Sequence, residues 1–238
     1  MRHWLDDCDQ QHFNCKLIGN QSSLPTRLIY VGHRDQTVPV LKLIETKNLQ
    51  RMVHYLALSH PWGVGPFYCT YPDNLEQHKL GIDMEALPAT FRDAVVITRK
   101  LGYSYLWIDS ICIIQGPDGD FRQESKRMEN VFSQAFCVLA ASSALGQQSG
   151  FLRSHDGARR LGESRHFLRL PLNGENPLYI CDYIDRFDKD VLESGLNQRG
   201  WVLQERALAR RTIYFTKTQT YFECGAGIRC ETFTKMTK

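Results

Sequence analysis

Between residues 55 and 141 short apolar runs alternate with amphipathic segments, in the order strand, helix, strand, helix, strand. A helix returning the chain between successive strands makes those strands parallel, so this stretch predicts a parallel sheet at the centre of an α/β fold. The first run, Tyr55–Ser59, stops at His60-Pro61-Trp62-Gly63 and reads as a buried strand opening into a loop. Pro88 precedes Thr90-Phe91-Arg92-Asp93, whose T-x-x-D spacing predicts a helix cap. Phe91, Ala94, Val95, Thr98 and Leu101 then follow at helical spacing, and Gly102 ends the helix. Tyr103–Asp109 is a strand closing on a carboxylate. Beyond the Gly116–Gly119 turn, Asp120 is placed to cap a helix running to Ala135, with an apolar stripe of Phe121, Met128, Val131, Phe132 and Ala135. Phe136–Ala141 is the third strand.

Antiparallel pieces are expected around this centre. Residues 1–23 read as a helical lead-in with Trp4, Leu5, Cys8, His12 and Cys15 near one face, and 24–238 as a single domain. Arg27–Val31 and Val38–Ile44 suggest a hairpin around Gly32–Gln36, and Thr212–Thr216 with Thr220–Cys224 a second, closing one. Residues 63–87 are predicted to be a long loop or irregular lid. Further strands are predicted at Phe167–Leu170 and Tyr179–Tyr183, and a helix from Arg199 to Leu208. The predicted class is α/β, a central mostly parallel sheet of the flavodoxin or TIR type with flanking helices and antiparallel hairpins.

Composition narrows the function. With 238 residues, 42% of them hydrophobic and 23% charged, the chain holds enough apolar material for one sizeable core. A formal charge of +3 with no basic stripe argues against a nucleic-acid partner. The N-terminus has no apolar signal region and no run reaches the ~18 apolar residues of a membrane span. Eight scattered cysteines fit a reducing compartment, so the expectation is cytoplasmic.

Ligands of open α/β sheets bind beyond the carboxyl ends of the strands. Ser59, Asp109 and Ser142 fall at such ends and are expected on one rim. Trp62-Gly63-Val64-Gly65 could offer backbone N–H groups to an anion, but a lone G-x-G is a weak signal and a plain turn is the favoured reading. Asp109 divides evenly between capping the next turn and a site role. Gln115 ends the apolar run Ile111–Ile114, and Cys112 within that run is read as an inert buried thiol. Glu124 lies on the core-facing stripe, so its charge must be paired, hold a proton or line a cavity; an ion pair is the plainer reading, with Arg199 and Arg206 as candidates. In Arg199–Arg206 the polar Gln204 and Glu205 sit between Trp201 and Leu208 on one helical face, as in a buried network or a pocket wall. Cys8-x3-His12-x2-Cys15 puts three possible metal ligands on one face. Zinc needs a fourth, no C-x-x-C accompanies the set, and core packing is the reading adopted; Cys224 and Cys230 carry a similarly weak signal and no metal is assigned. No P-loop, H-E-x-x-H or G-x-S-x-G occurs.

Taken in order, these segments resemble the fungal heterokaryon-incompatibility (HET) domain family. Tyr55–Gly63 is similar to its first block, usually Y-x-A-L-S-Y-x-W-G. Leu87–Ala94 and Tyr105–Gln115, continuing through Glu124, Met128, Val131-Phe132 and Ala135, resemble the second. Arg199–Arg206 resembles the third, followed by Phe222-Glu223-Cys224. The lead-in with Trp4-Leu5, Cys8, His12 and Cys15 also precedes many such domains. His60, Phe132 and Phe222 stand where the family usually has Tyr, Tyr and Trp, so no role for His60 carries over.

The resemblance implies a cytosolic module of fungal self/non-self recognition able to trigger cell death, with protein partners or self-association. The family's proposed remote likeness to TIR domains implies cleavage of NAD or a related nucleotide, with no cofactor required. As such an enzyme, Glu124 or Glu205 would stabilise an oxocarbenium-like centre, Asp109 would bind a ribose hydroxyl and Arg199 or Arg206 would hold phosphate. Ser59, His60, Trp62, Gly63, Gln115, Trp201 and Gln204 would line the ligand site. Alternatively, the same residues form a structural network in a non-enzymatic interaction module, or the scaffold serves a metabolic enzyme.

Overall fold

A computed structural model describes residues 1–16, 24–32, 41–152, 167–170, 178–181, 186–198, 200–231 and 235–236. Helix α1 (Arg2–Gln11) leads into strands β1 (Arg27–Tyr30), β2 (Lys42–Glu45) and β3 (Leu56–Ser59). Helices α2 (Leu75–Leu80) and α3 (Ala89–Lys100) precede β4 (Tyr105–Trp107), and α4 (Asp109–Cys112), α5 (Phe121–Glu124) and α6 (Met128–Gln134) precede β5 (Cys137–Ala140). A separate antiparallel pair, β6 (Phe167–Leu170) and β7 (Leu178–Cys181), is followed by α7 (Gly200–Leu208). The chain then adds β8 (Arg211–Phe215), β9 (Thr220–Cys224), β10 (Gly227–Cys230) and β11 (Lys235–Met236).

Nine strands form one sheet among the described residues, in the order β11-β10-β9-β8-β5-β3-β4-β1-β2. The central β4-β3-β5-β8 are parallel, as the alternation predicts. The other five neighbouring pairs are antiparallel, so the sheet is mixed rather than mostly parallel. The reason is that both predicted hairpins join this sheet directly: β1 pairs with β4, and the second hairpin continues beyond β9 into β10 and β11. From β3 the chain moves outward to β4, then back past β3 to β5. Right-handed crossovers in opposite directions put α3 and α6 on opposite faces. Phe91 of α3 accordingly meets His60, while Phe132 of α6 meets Trp107 edge to face at 5.6 Å.

Side chains alternate across the strands, which divides the core in two. Leu139, Ile213, Phe215 and Phe222 belong to the larger cluster, which also takes up Trp4, Leu5, Cys8 and Cys15 from the lead-in. Ala140, Tyr214 and Tyr221 face a smaller cluster closed by Phe187, Val191, Leu196 and Val202. The lead-in is therefore packed into the same body as the sheet.

Local departures from the sequence reading have local causes. Residues 63–87 contain α2 within an otherwise irregular path. Thr90 and Asp93 do not cap α3; Thr90 Oγ1 donates to Gly146 O, and Asp93 Oδ2 accepts from the Phe151 and Leu152 amides, pinning the loop after β5. The strand ending in Asp109 stops at Trp107, and Asp109 opens α4 instead. The predicted helix from Asp120 breaks at a 3-10 turn, Ser125–Arg127, and Asp120 at its N-cap position turns its side chain to Ile114 N and Arg27. Gly102, at φ +86°, ends α3 as predicted. Of the predicted turn at Gly32–Gln36 only Gly32, at φ +83°, is described; 33–36 and much of 142–176 lie outside the described residues.

Candidate functional site

The connection direction reverses between β3 and β5, and the carboxyl ends of parallel strands open a crevice at such a point. Ser59 ends β3 opposite Ala140 of β5, and Ala140 lies opposite Tyr214 of β8. Ser59 lines a cavity with Val202 and Tyr214 of the smaller core cluster, whereas the ring of His60 meets Phe91 of the larger one, so the two successive side chains part to opposite sides. Two polar clusters result.

The first cluster joins the first two sequence blocks. Asp109 Oδ2 accepts from Trp62 Nε1 at 2.7 Å, and Oδ1 accepts from the Ser110 amide at 2.7 Å and lies 3.1 Å from His60 Nε2. Burial favours the neutral carboxyl, but the His60 contact, the Trp62 donor and the Ser110 amide outweigh it and hold the pKa below the ordinary carboxylate value. His60 Nδ1 lies 3.0 Å from Pro61 O, so both ring nitrogens face oxygen atoms. Gly63, at φ +77°, packs back to back with Gly146: a Cβ on Gly63 would stand 2.7 Å from Gly146 Cα. The turn is thus a packing device rather than an open cradle. Gln115 folds back onto Ile113 O and Asp109 O. Cys112 is buried, and desolvation pushes its thiol up to about 12, as an inert core thiol requires.

The second cluster joins the first block to the third. Ser59, Val202, Glu205, Arg206, Thr212 and Tyr214 surround a cavity of about 10 Å³, room for about one water. Arg206 grips Glu223 with two parallel bonds, Nε to Oε2 at 3.1 Å and Nη2 to Oε1 at 3.2 Å. Tyr214 donates its hydroxyl to the same Glu223 at 2.6 Å, and burial followed by that carboxylate raises its pKa. Ser59 Oγ is buried with no hydrogen-bond partner among the described residues.

Glu124 joins neither cluster. It is buried, as its place on the apolar stripe predicted, but its partners are Thr26 Oγ1 at 2.7 Å and Arg127 at 3.6 Å, not Arg206. β1 inserts antiparallel beside β4 and brings Thr26 and Arg27 to this end of the sheet. Nearby, a cleft of about 640 Å³ carries Arg27, Lys47, Arg51 and Arg127 in its wall, but none of the candidate residues lines it. Three of those cations already face carboxylates: Arg27 meets Asp120, Lys47 meets Glu45 and Arg127 meets Glu124. Arg199 and the side chains of Trp201 and Gln204 lie outside the described residues.

Sequence reasoning missed Tyr214 and Glu223. The available signal was a carboxylate inside the β-patterned run Thr220–Cys224, whose five residues are all buried.

These features define a mixed α/β domain whose separated polar blocks converge at the carboxyl ends of its parallel strands. Residues 55–205, well over half of the chain, match the family model described as heterokaryon incompatibility protein (HET), and the chain belongs to that family. No curated protein and no solved structure matches the chain. No described helix is long and apolar enough to cross a membrane.

Proposed function

We propose that this chain is an effector of self/non-self recognition and cell death that acts by engaging partner proteins or further copies of itself, without turning over a substrate. The observation that carries the reading is that Asp109 and Arg206, the charged hubs of the two clusters, are each committed to partners within the fold. Asp109 accepts from Trp62 and Ser110 and faces His60, and Arg206 is committed to Glu223. The cavity beside Ser59, Glu205 and Arg206 is about 10 Å³, far below the ~300 Å³ at which small-molecule pockets begin. Such a network fixes the shape of the rim, and the rim is the surface offered to a partner.

A second reading, cleavage of NAD or a related nucleotide, has its own support. The parallel strands run in the order second, first, third, fourth, as in flavodoxin-like and TIR-like sheets, and the unbonded Ser59 Oγ shares its cavity with Glu205 and Arg206 at the switch point. In that reading Glu205 stabilises the developing cation.

Two measurements separate the readings. The pure 238-residue chain incubated with NAD is followed for nicotinamide release, with no turnover expected even at high protein concentration. In a host fungus, Asp109→Asn and Glu205→Gln should lose killing only in proportion to lost thermal stability. Nicotinamide release, or a Glu205→Gln protein that melts like wild type yet no longer kills, overturns the interaction reading.

A further inference from the structure

The lead-in supplies the clearest unassigned chemistry. α1 ends at Gln11, His12 is its extended C-cap, and a 3-10 turn at Phe13–Cys15 swings Cys15 back beside Cys8. The fold then brings Cys224, at the end of β9, onto the same spot. The ligand atoms of Cys8, His12, Cys15 and Cys224 all lie within 4.8 Å of one another, and His12 Nδ1 is 3.4 Å from Cys224 Sγ. A tetrahedral zinc with Zn–S of about 2.3 Å and Zn–N of about 2.05 Å needs sulfur–sulfur distances near ~3.8 Å and nitrogen–sulfur distances near ~3.6 Å. The four groups stand within about an ångström of that geometry. None of these three cysteines is in a disulfide.

Two observations speak for thiolates rather than packed neutral thiols. Arg211, almost wholly buried, points Nε at Cys8 Sγ at 3.2 Å, and the Ala226 amide points at Cys224 Sγ at 3.4 Å. Arg211 also pairs Nη2 with Asp9 at 2.7 Å, which supplies its counter-charge, but its Nε donor is left facing sulfur: a neutral thiol accepts weakly, whereas a thiolate ligand accepts a charge-assisted bond. Donors aimed at ligand sulfurs are the outer-shell arrangement of structural metal sites.

We infer that Cys8, His12, Cys15 and Cys224 form a closed structural zinc site of three thiolates and one imidazole that staples the N-terminal lead-in to β9. Binding displaces the thiol protons to solvent and leaves no open coordination position, so the ion is structural rather than catalytic. It joins residues 212 positions apart in sequence, His12 and Cys224, and so restrains the unfolded chain strongly.

The 238-residue chain, purified without chelator from zinc-supplemented cells, should carry one zinc per chain by elemental analysis. Exchange into cobalt should give the intense thiolate charge-transfer and tetrahedral d–d bands of a site with three sulfur ligands and one nitrogen ligand. Cys224→Ser should weaken binding by at least the ~10–100-fold that losing even an outer partner costs, while Cys69→Ser, outside the cluster, keeps full occupancy. The wild-type cobalt spectrum keeps the test valid if Cys224→Ser fails to fold. A metal-free wild type with only an octahedral cobalt spectrum overturns the site, as does a disulfide between two of the four ligands.

Discussion

Asp109→Asn tests the first polar cluster at its hub. The carboxylate presents two acceptor oxygens to three neighbours: Trp62 Nε1 on one side, and the Ser110 amide and His60 on the other. An amide has only one. If its oxygen takes the Ser110 side, its NH2 meets the Trp62 N–H; flipped, it meets the Ser110 N–H and faces His60. Either way a buried donor loses its acceptor, at about 1–3 kcal/mol, and the surviving bonds lose their charge assistance. A total near 3 kcal/mol, at about 2–4 °C per kcal/mol for a chain of this size, lowers the melting temperature by roughly 6–12 °C. Thermal melts by circular dichroism, with urea titrations to check that the m-value is unchanged, measure this. The pH dependence is a second handle. Asp109's folded pKa lies below its ordinary value near 3.8, so its stabilisation is complete above that value and is lost as pH falls through the folded pKa. The gap between wild type and Asp109→Asn should therefore be constant near neutrality and close in acid. A variant melting within about 1 °C of wild type, or a gap independent of pH down to acid unfolding, refutes the hub assignment.

Gly63→Ala should destabilise by about 2–4 kcal/mol in denaturant titrations, because its φ of +77° and the 2.7 Å approach to Gly146 Cα both exclude a Cβ. Arg206→Met should cost about 3–5 kcal/mol by leaving the buried Glu223 without its cation, and adding Glu223→Gln should recover part of the loss in a double-mutant cycle. Glu124→Gln keeps an acceptor for Thr26 and gives up only a 3.6 Å pair with the part-exposed Arg127, so calorimetry should find a loss below ~1 kcal/mol. The same variant should kill a host as well as wild type does, whereas a fully folded, inactive protein would restore Glu124 to the chemistry.

What could be read in advance was what is written locally. The α3 stripe of Phe91, Ala94, Val95 and Thr98 is buried as its spacing demands, and the positive φ of Gly102 ends it. Cys112 is buried as its apolar neighbours predict, and that burial raises its thiol pKa. Partners across the fold were harder. Glu124 announced a need for a counter-charge, but periodicity says only that a side chain faces inward, not what it meets there. Glu223 was hidden because strand alternation alone does not reveal that Arg206 lies opposite.

The sequence by itself determined the parallel centre and put Ser59 and Asp109 at its strand ends, since these follow from short-range spacing and residue type, and its ordered blocks carried the family resemblance. Tertiary structure alone decided that the sheet is mixed, because pairing β1 with β4 closes backbone hydrogen bonds between segments far apart in the chain, which no local period encodes. It also divided the rim into two networks, since successive residues Ser59 and His60 face opposite sides of the sheet. Cys224, remote in sequence from Cys8, His12 and Cys15, becomes their neighbour only when β9 packs against α1.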